Sequence, residues 1–223
     1  MTHNERIEWT RCWREDADRD RIRVLLIGDS VVEGIKHEVY NALPGGVATT
    51  VIATSKGVNN SFFTEEIKLF CRQEPCDYRV AYFNNGLHPH GQSPEEYAKN
   101  YRAALEELRR SLPCVRTWIL GLSTPITRRG GDGSDHDTPI TDADPCNLDQ
   151  KDALVCQYNR EVVKIAAASG LEVLDAYTLL VGHPEYKTDG YHYNAEGKAL
   201  LGRAVAQKIT EALESLETKR RIL

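Results

Sequence analysis

The sequence predicts an α/β fold, a parallel β-sheet with helices on both faces, and three observations predict it. Apolar runs without alternation, such as Val24-Leu25-Leu26-Ile27, read as strands buried on both faces. Between such runs lie stretches whose apolar residues recur at helical spacing. Clusters of Gly, Asn, Ser and Pro separate the two kinds of segment, so strands and helices alternate along the chain.

The first strand covers 23–27 and ends in Gly28-Asp29-Ser30. Val32, Ile35, Val39 and Leu43 then share one helical face, and Pro44-Gly45-Gly46 stops that helix. A second strand is predicted over 50–53, followed by the loop Ser55-Lys56-Gly57-Val58-Asn59-Asn60 and a helix over 64–72. The third strand, 78–83, stops at Asn84-Asn85-Gly86. Ser93-Pro94-Glu95-Glu96 opens the next helix, with Ser as N-cap and Pro at the first helical position. Tyr97, Tyr101, Leu105 and Leu108 lie on one face of it. The fourth strand, 115–122, leads into Ser123-Thr124-Pro125 and a long loop over 126–148. A helix over 149–168, a fifth strand over 172–175 and a last helix over 194–216 complete the pattern. In parallel sheets the reactive loops gather at the carboxyl ends of the strands. Ser30, Asn84 and Thr124 stand at three of those ends.

The length of 223 residues suits one domain. The expected division is an N-terminal arm over 1–21, polar but carrying Trp9 and Trp13, and a single domain over 22–223. A formal net charge of -5 gives no field that would attract nucleic acid or anionic lipid, and the tail Lys219-Arg220-Arg221 is too short to change that. No apolar stretch has membrane-spanning length, and the polar N-terminus shows no signal peptide, so a cytoplasmic location is expected. The six cysteines (Cys12, Cys71, Cys76, Cys114, Cys146, Cys156) lack zinc-site spacing and read as free thiols, because a chain this long builds its own core.

Ser30 sits between a buried strand and a helix. Position alone allows two readings: a helix cap, or a nucleophile whose oxyanion meets the free N–H groups of a helix N-terminus. A nucleophilic serine needs a base. Asp189 and His192, three residues apart before the last helix, can supply one: the carboxylate holds one imidazole nitrogen while the other faces outward. An exposed polar turn is the plainer reading of the same residues. Asn84 ends an apolar strand, where its amide can donate to an oxyanion or serve an Asn-Gly turn. Gly57 follows the second strand and can bring a backbone N–H to the same place.

Taken in order, these segments resemble the SGNH (GDSL-like) hydrolase superfamily. Gly28-Asp29-Ser30 with Gly34 is similar to its first block and Gly57 to its second. Phe83-Asn84-Asn85-Gly86-Leu87-His88 is similar to its third, and Asp189-Gly190-Tyr191-His192 to its fifth. The resemblance implies a three-layer α/β/α sandwich of flavodoxin-like type with a five-stranded parallel sheet. It implies Ser30 as nucleophile, His192 as base, Asp189 as the orienting acid, and an oxyanion hole from the Ser30 and Gly57 N–H groups and the Asn84 amide. Asn85 and His88 are the expected substrate-binding residues, and His88 could instead brace Asn84. The resemblance implies no cofactor and no metal.

Val31 stands where the family motif has leucine, Tyr82 where the third block has glycine, and Asn85 where it has aspartate. Asn84 and Asn85 therefore compete for the oxyanion role, and alignment on Gly86-Leu87 selects Asn84. The implied activity is hydrolysis of a short-chain carboxylic ester through an acyl-Ser30 intermediate, with O-acetyl groups on a carbohydrate as the expected class. A thioesterase, lysophospholipase, acyltransferase or non-catalytic binding domain are the alternatives. The acidic loop 132–144 breaks calcium-loop spacing and reads as solvated. His88 and His90 are not expected to bind metal.

Overall fold

The computed structural model describes residues 7–15, 21–73, 78–88, 91–126 and 148–222. The loop expected over 126–148, its acidic residues and His90 fall outside that description, save Ile126 and Leu148.

The strands are β1 (Thr10–Glu15), β2 (Ile22–Gly28), β3 (Val47–Thr54), β4 (Tyr78–Phe83), β5 (Thr117–Gly121) and β6 (Glu172–Leu174). They form one sheet in the order β1-β3-β2-β4-β5-β6. From β2 to β6 every pairing is parallel, and β1 adds an antiparallel strand at the β3 edge. The expected five parallel strands are present, and part of the expected arm becomes a sixth. The order of the five is that of a flavodoxin-like doubly wound sheet, whose switch point lies between β2 and β4.

The helices are α1 (Ser30–Gly34), α2 (Lys36–Ala42), α3 (Phe63–Arg72), α4 (Pro94–Ser111), α5 (Leu148–Ser169), α6 (Ala176–Val181) and α7 (Ala195–Ile222). The single helix expected after Ser30 breaks at Ile35, whose φ of -101° and ψ of 4° leave the helical region. Its apolar face runs on through the break, with Val32, Ile35, Val39 and Leu43 all buried. Ser93 caps α4 as expected, in a reciprocal capping box with Glu96.

Two cores flank the sheet. One packs α3, α4 and α5 against Leu25, Ile27, Ala81 and Phe83; the other packs α1, α2, α6 and α7 against Val24, Leu26, Val80 and Tyr82. Alternate residues of one strand thus serve opposite layers, as the unbroken apolar run of β2 requires. Each such buried side chain contributes about 1.5–3 kcal/mol of transfer free energy. Tyr82 fits its strand because Gly121 lies beside it: a Cβ on Gly121 would stand 2.0 Å from the tyrosine hydroxyl.

Cys12, Cys71 and Cys156 keep their thiols, but Cys114 is disulfide-bonded. This corrects the expectation that all the thiols are free; a core large enough to fold alone does not prevent a bridge.

Candidate active site

Ser30 follows the carboxyl end of β2 directly. Gly28 makes the turn possible, since a Cβ there would lie 2.2 Å from the Val32 side chain and 3.2 Å from the Asn84 carbonyl oxygen. The cap of α1 is Asp29, whose Oδ1 accepts from Val31 N–H at 2.9 Å. Ser30 is therefore not the cap, and its hydroxyl is available elsewhere.

That hydroxyl lies 2.8 Å from His192 Nε2, and His192 Nδ1 lies 2.7 Å from Asp189 Oδ2. An ionised carboxylate only accepts, so Nδ1–H donates to Asp189 and Nε2 is left to accept from Ser30. Burial pushes the Asp189 carboxyl up, but hydrogen bonds from the His192 ring and from the His192 and Tyr191 N–H groups outweigh it and hold the group well below the usual carboxylate range. Ser30, Asp189 and His192, 162 residues apart at their extremes, form one continuous relay.

The loop with this acid and base is closed at its foot. Lys187 and Tyr193 pair in an isolated antiparallel bridge, and Thr188 N–H donates to the His192 carbonyl at 3.0 Å. Lys187 is 2 % exposed. Its ammonium donates to the Pro125 carbonyl at 2.6 Å and the Tyr191 carbonyl at 3.0 Å, and lies 3.8 Å from the centre of the Tyr193 ring. Burial pushes it down to about 7, against the pull of Asp189 and Asp152. Nothing in the sequence marks Lys187, because a lone lysine in a polar turn carries no signal of burial.

Asn84 extends the β2–β4 ladder, its N–H donating to the Ile27 carbonyl at 2.9 Å. Its side-chain amide donates to the Gly121 carbonyl at 2.8 Å, and an amide nitrogen has a second hydrogen to offer. Asn85 is 1 % exposed. It spends both ends of its amide on the Gly57 loop, donating to the Lys56 carbonyl at 2.9 Å and accepting from Val58 N–H at 3.1 Å. That geometry braces the loop: the side chain expected on the substrate side has both ends engaged within the fold. Gly57 presses against the next segment: a Cβ there would stand 2.2 Å from the His88 carbonyl oxygen. His88 thus lies beside Gly57, half-buried.

The arm grips the same loop from the other side. Trp9 N–H donates to Ser55 Oγ and Ser55 N–H to the Trp9 carbonyl, both at 3.0 Å. The buried Lys56 ammonium pairs with Glu8 at 3.4 Å and Glu66 at 3.1 Å. A small, mainly apolar notch is lined by Val31, Ile35, Tyr82, Leu87, Leu122 and Leu201, with the polar Asn84 and Thr124 on its wall. Among the described residues no group of three His, Cys, Asp or Glu side chains is placed to share a metal ion, and no helix is long and apolar enough to cross a membrane.

No protein-family model matches the chain, and no curated protein is significantly similar to it in sequence. Solved structures do resemble it. A member of the lipolytic protein G-D-S-L family from Veillonella parvula matches with a TM-score of 0.62 at 18% identity, over 83% of this chain and 97% of that one. The aryl esterase of M. smegmatis matches with a TM-score of 0.67 at 11% identity, over 86% and 99%. A carbohydrate acetylesterase from Sinorhizobium meliloti matches with a TM-score of 0.63 at 14% identity, over 86% and 99%. The chain has the SGNH (GDSL-like) hydrolase fold.

Proposed function

We propose that this chain is a serine esterase acting on short-chain carboxylic esters, with O-acetyl groups on a carbohydrate as the preferred class. The observation that carries the reading is the relay of 2.8 Å from Ser30 Oγ to His192 Nε2 and 2.7 Å from His192 Nδ1 to Asp189. His192 takes the Ser30 proton as the oxygen attacks the ester carbonyl, and Asp189 stabilises the imidazolium. The Ser30 and Gly57 N–H groups and the second hydrogen of the Asn84 amide receive the oxyanion. The imidazolium returns its proton to the leaving alcohol, and water activated by His192 releases the acyl group from Ser30. His88, at the mouth beside Gly57, is the proposed substrate contact.

The notch whose wall includes Asn84 is small, which supports a short acyl group over a long one. The carbohydrate preference rests on the likeness to the Sinorhizobium meliloti acetylesterase, which is an analogy of fold. A cytoplasmic setting belongs to the same reading; the disulfide at Cys114 pulls against it, since reducing cytosol keeps thiols free.

A fluorophosphonate probe labels only an activated serine. The wild-type chain should be labelled and should hydrolyse p-nitrophenyl acetate. Ser30→Ala should fold, escape labelling and lose ~10⁴-fold or more in kcat. Labelling that survives in Ser30→Ala would overturn the assignment.

A further inference from the structure

We propose that Lys187 is a positioning residue that sets the orientation of His192 by holding the peptide plane between Tyr191 and His192. The proposal builds on the relay described above and assigns a role to a group outside it. That plane is gripped at both ends. Its N–H, that of His192, donates to Asp189 Oδ1 at 2.7 Å. Its oxygen, that of Tyr191, accepts from the Lys187 ammonium at 3.0 Å. The peptide unit is rigid, so fixing its two ends fixes the His192 Cα, the atom from which the imidazole leaves the backbone.

The ammonium also ties this plane to the sheet. Its second donation, to the Pro125 carbonyl at 2.6 Å, reaches the segment that follows β5. Its third side faces the Tyr193 ring at 3.8 Å from the centroid. Two carbonyls and a ring face suit the three donors of a charged lysine; a neutral amine would turn a lone pair towards one of them. The charged groups facing it are Asp189 of its own loop and Asp152 of α5. Asp152 is in turn engaged, accepting from Ile126 N–H at 2.8 Å and from the Tyr177 hydroxyl at 2.6 Å. Lys187 is thus the link through which the His192 loop, itself half-exposed, takes its position from the buried end of β5.

Lys187→Met keeps the length and apolar stem of the side chain and removes every donor. A displacement of about 1 Å at a catalytic group costs up to about 100-fold. The expected result is a kcat lowered about 10- to 100-fold with KM within about twofold. The proton on His192 Nδ1, read by NMR without substrate, should shift or broaden. A merely structural lysine would alter the melting temperature and leave both the kcat of the folded enzyme and that proton unchanged.

Should the methionine variant fail to fold, Lys187→Gln retains an uncharged donor and should show the same changes in smaller degree. Wild-type kcat and an unchanged His192 proton in either folded variant would overturn the proposal. A wild-type chain that neither hydrolyses esters nor takes the fluorophosphonate would instead overturn the esterase reading. The His192 proton would still report whether Lys187 positions it.

Discussion

The two halves of the proposed site, that of the nucleophile and that of the base, are held by different means. The nucleophile half is part of the sheet: Asp29 is fully buried, Asn84 and Asn85 nearly so, and the backbone around Gly28 and Gly57 is packed too closely for a Cβ. The base half is a short loop whose Asp189 and His192 side chains are 42% and 45% exposed. Packing density positions the first half; a handful of hydrogen bonds, those of Lys187 and Asp189 above all, position the second. Substitutions in the first half should therefore show in stability as well as rate, and substitutions of the half-exposed Asp189 and His192 mainly in rate.

The largest effect should come from Asp189→Asn. The new side-chain oxygen can still accept from the Tyr191 and His192 N–H groups, but its NH₂ faces His192 Nδ1 and turns that nitrogen into the acceptor. Nε2 then carries the proton and cannot take one from Ser30. A fall in kcat of ~10⁴-fold, with the melting temperature almost unchanged, is expected. A large loss of stability would mean that the base half is as tightly built as the nucleophile half.

Next in size is the contrast between the two asparagines. Asn84→Ala should lower kcat by ~10²–10³-fold through the missing oxyanion donor. Asn85→Ala leaves the Val58 N–H and the Lys56 carbonyl unsatisfied within the fold, at about 1–3 kcal/mol each. It should lower the urea midpoint well before it changes turnover per folded molecule. Equal catalytic losses with equal stabilities would erase the distinction drawn between them.

Within the base half, pH separates the two groups that hold it. The Lys187 proton is bound below about 7 in the fold and below 10.5 in the unfolded chain, so the unfolded state holds more protons between those values. Stability from this group therefore rises with pH across that window. The wild-type chain should gain on Lys187→Met there by an amount on the order of a few kcal/mol, read from urea unfolding. A difference that stays flat would show that Lys187 is not desolvated. Asp189 acts at the other extreme: its contribution is present above the ordinary value of 3.8 and is lost as pH falls through its lower native value.

Most of the nucleophile half was legible in the sequence because it depends on patterns of local origin. The apolar run of β2, the turn at Gly28-Asp29-Ser30 and the capped start of α4 each follow from neighbours in the chain. Asp189 and His192 were legible for the same reason, being three residues apart. What escaped depends on distant partners. Nothing near Thr10 announces its pairing with Thr54, so β1 read as part of an arm lying on the domain. Alignment on Gly86-Leu87 selects Asn84 over Asn85, but nothing beside Asn85 announces its two hydrogen bonds to the Gly57 loop. Lys187 is polar in sequence and buried in space because Pro125, 62 residues away, offers it a carbonyl.

The strand β1 has one more consequence. All eight residues of its partner β3, Val-Ala-Thr-Thr-Val-Ile-Ala-Thr, are buried, and they combine β-branched side chains with no charge. Such a segment is a template for cross-chain pairing when its edge is bare. By occupying that edge with a strand that carries Arg11, Arg14 and Glu15, the molecule shields the stretch that would otherwise recruit other chains into aggregates. The arm that steadies the Gly57 loop thus also guards the solubility of the protein.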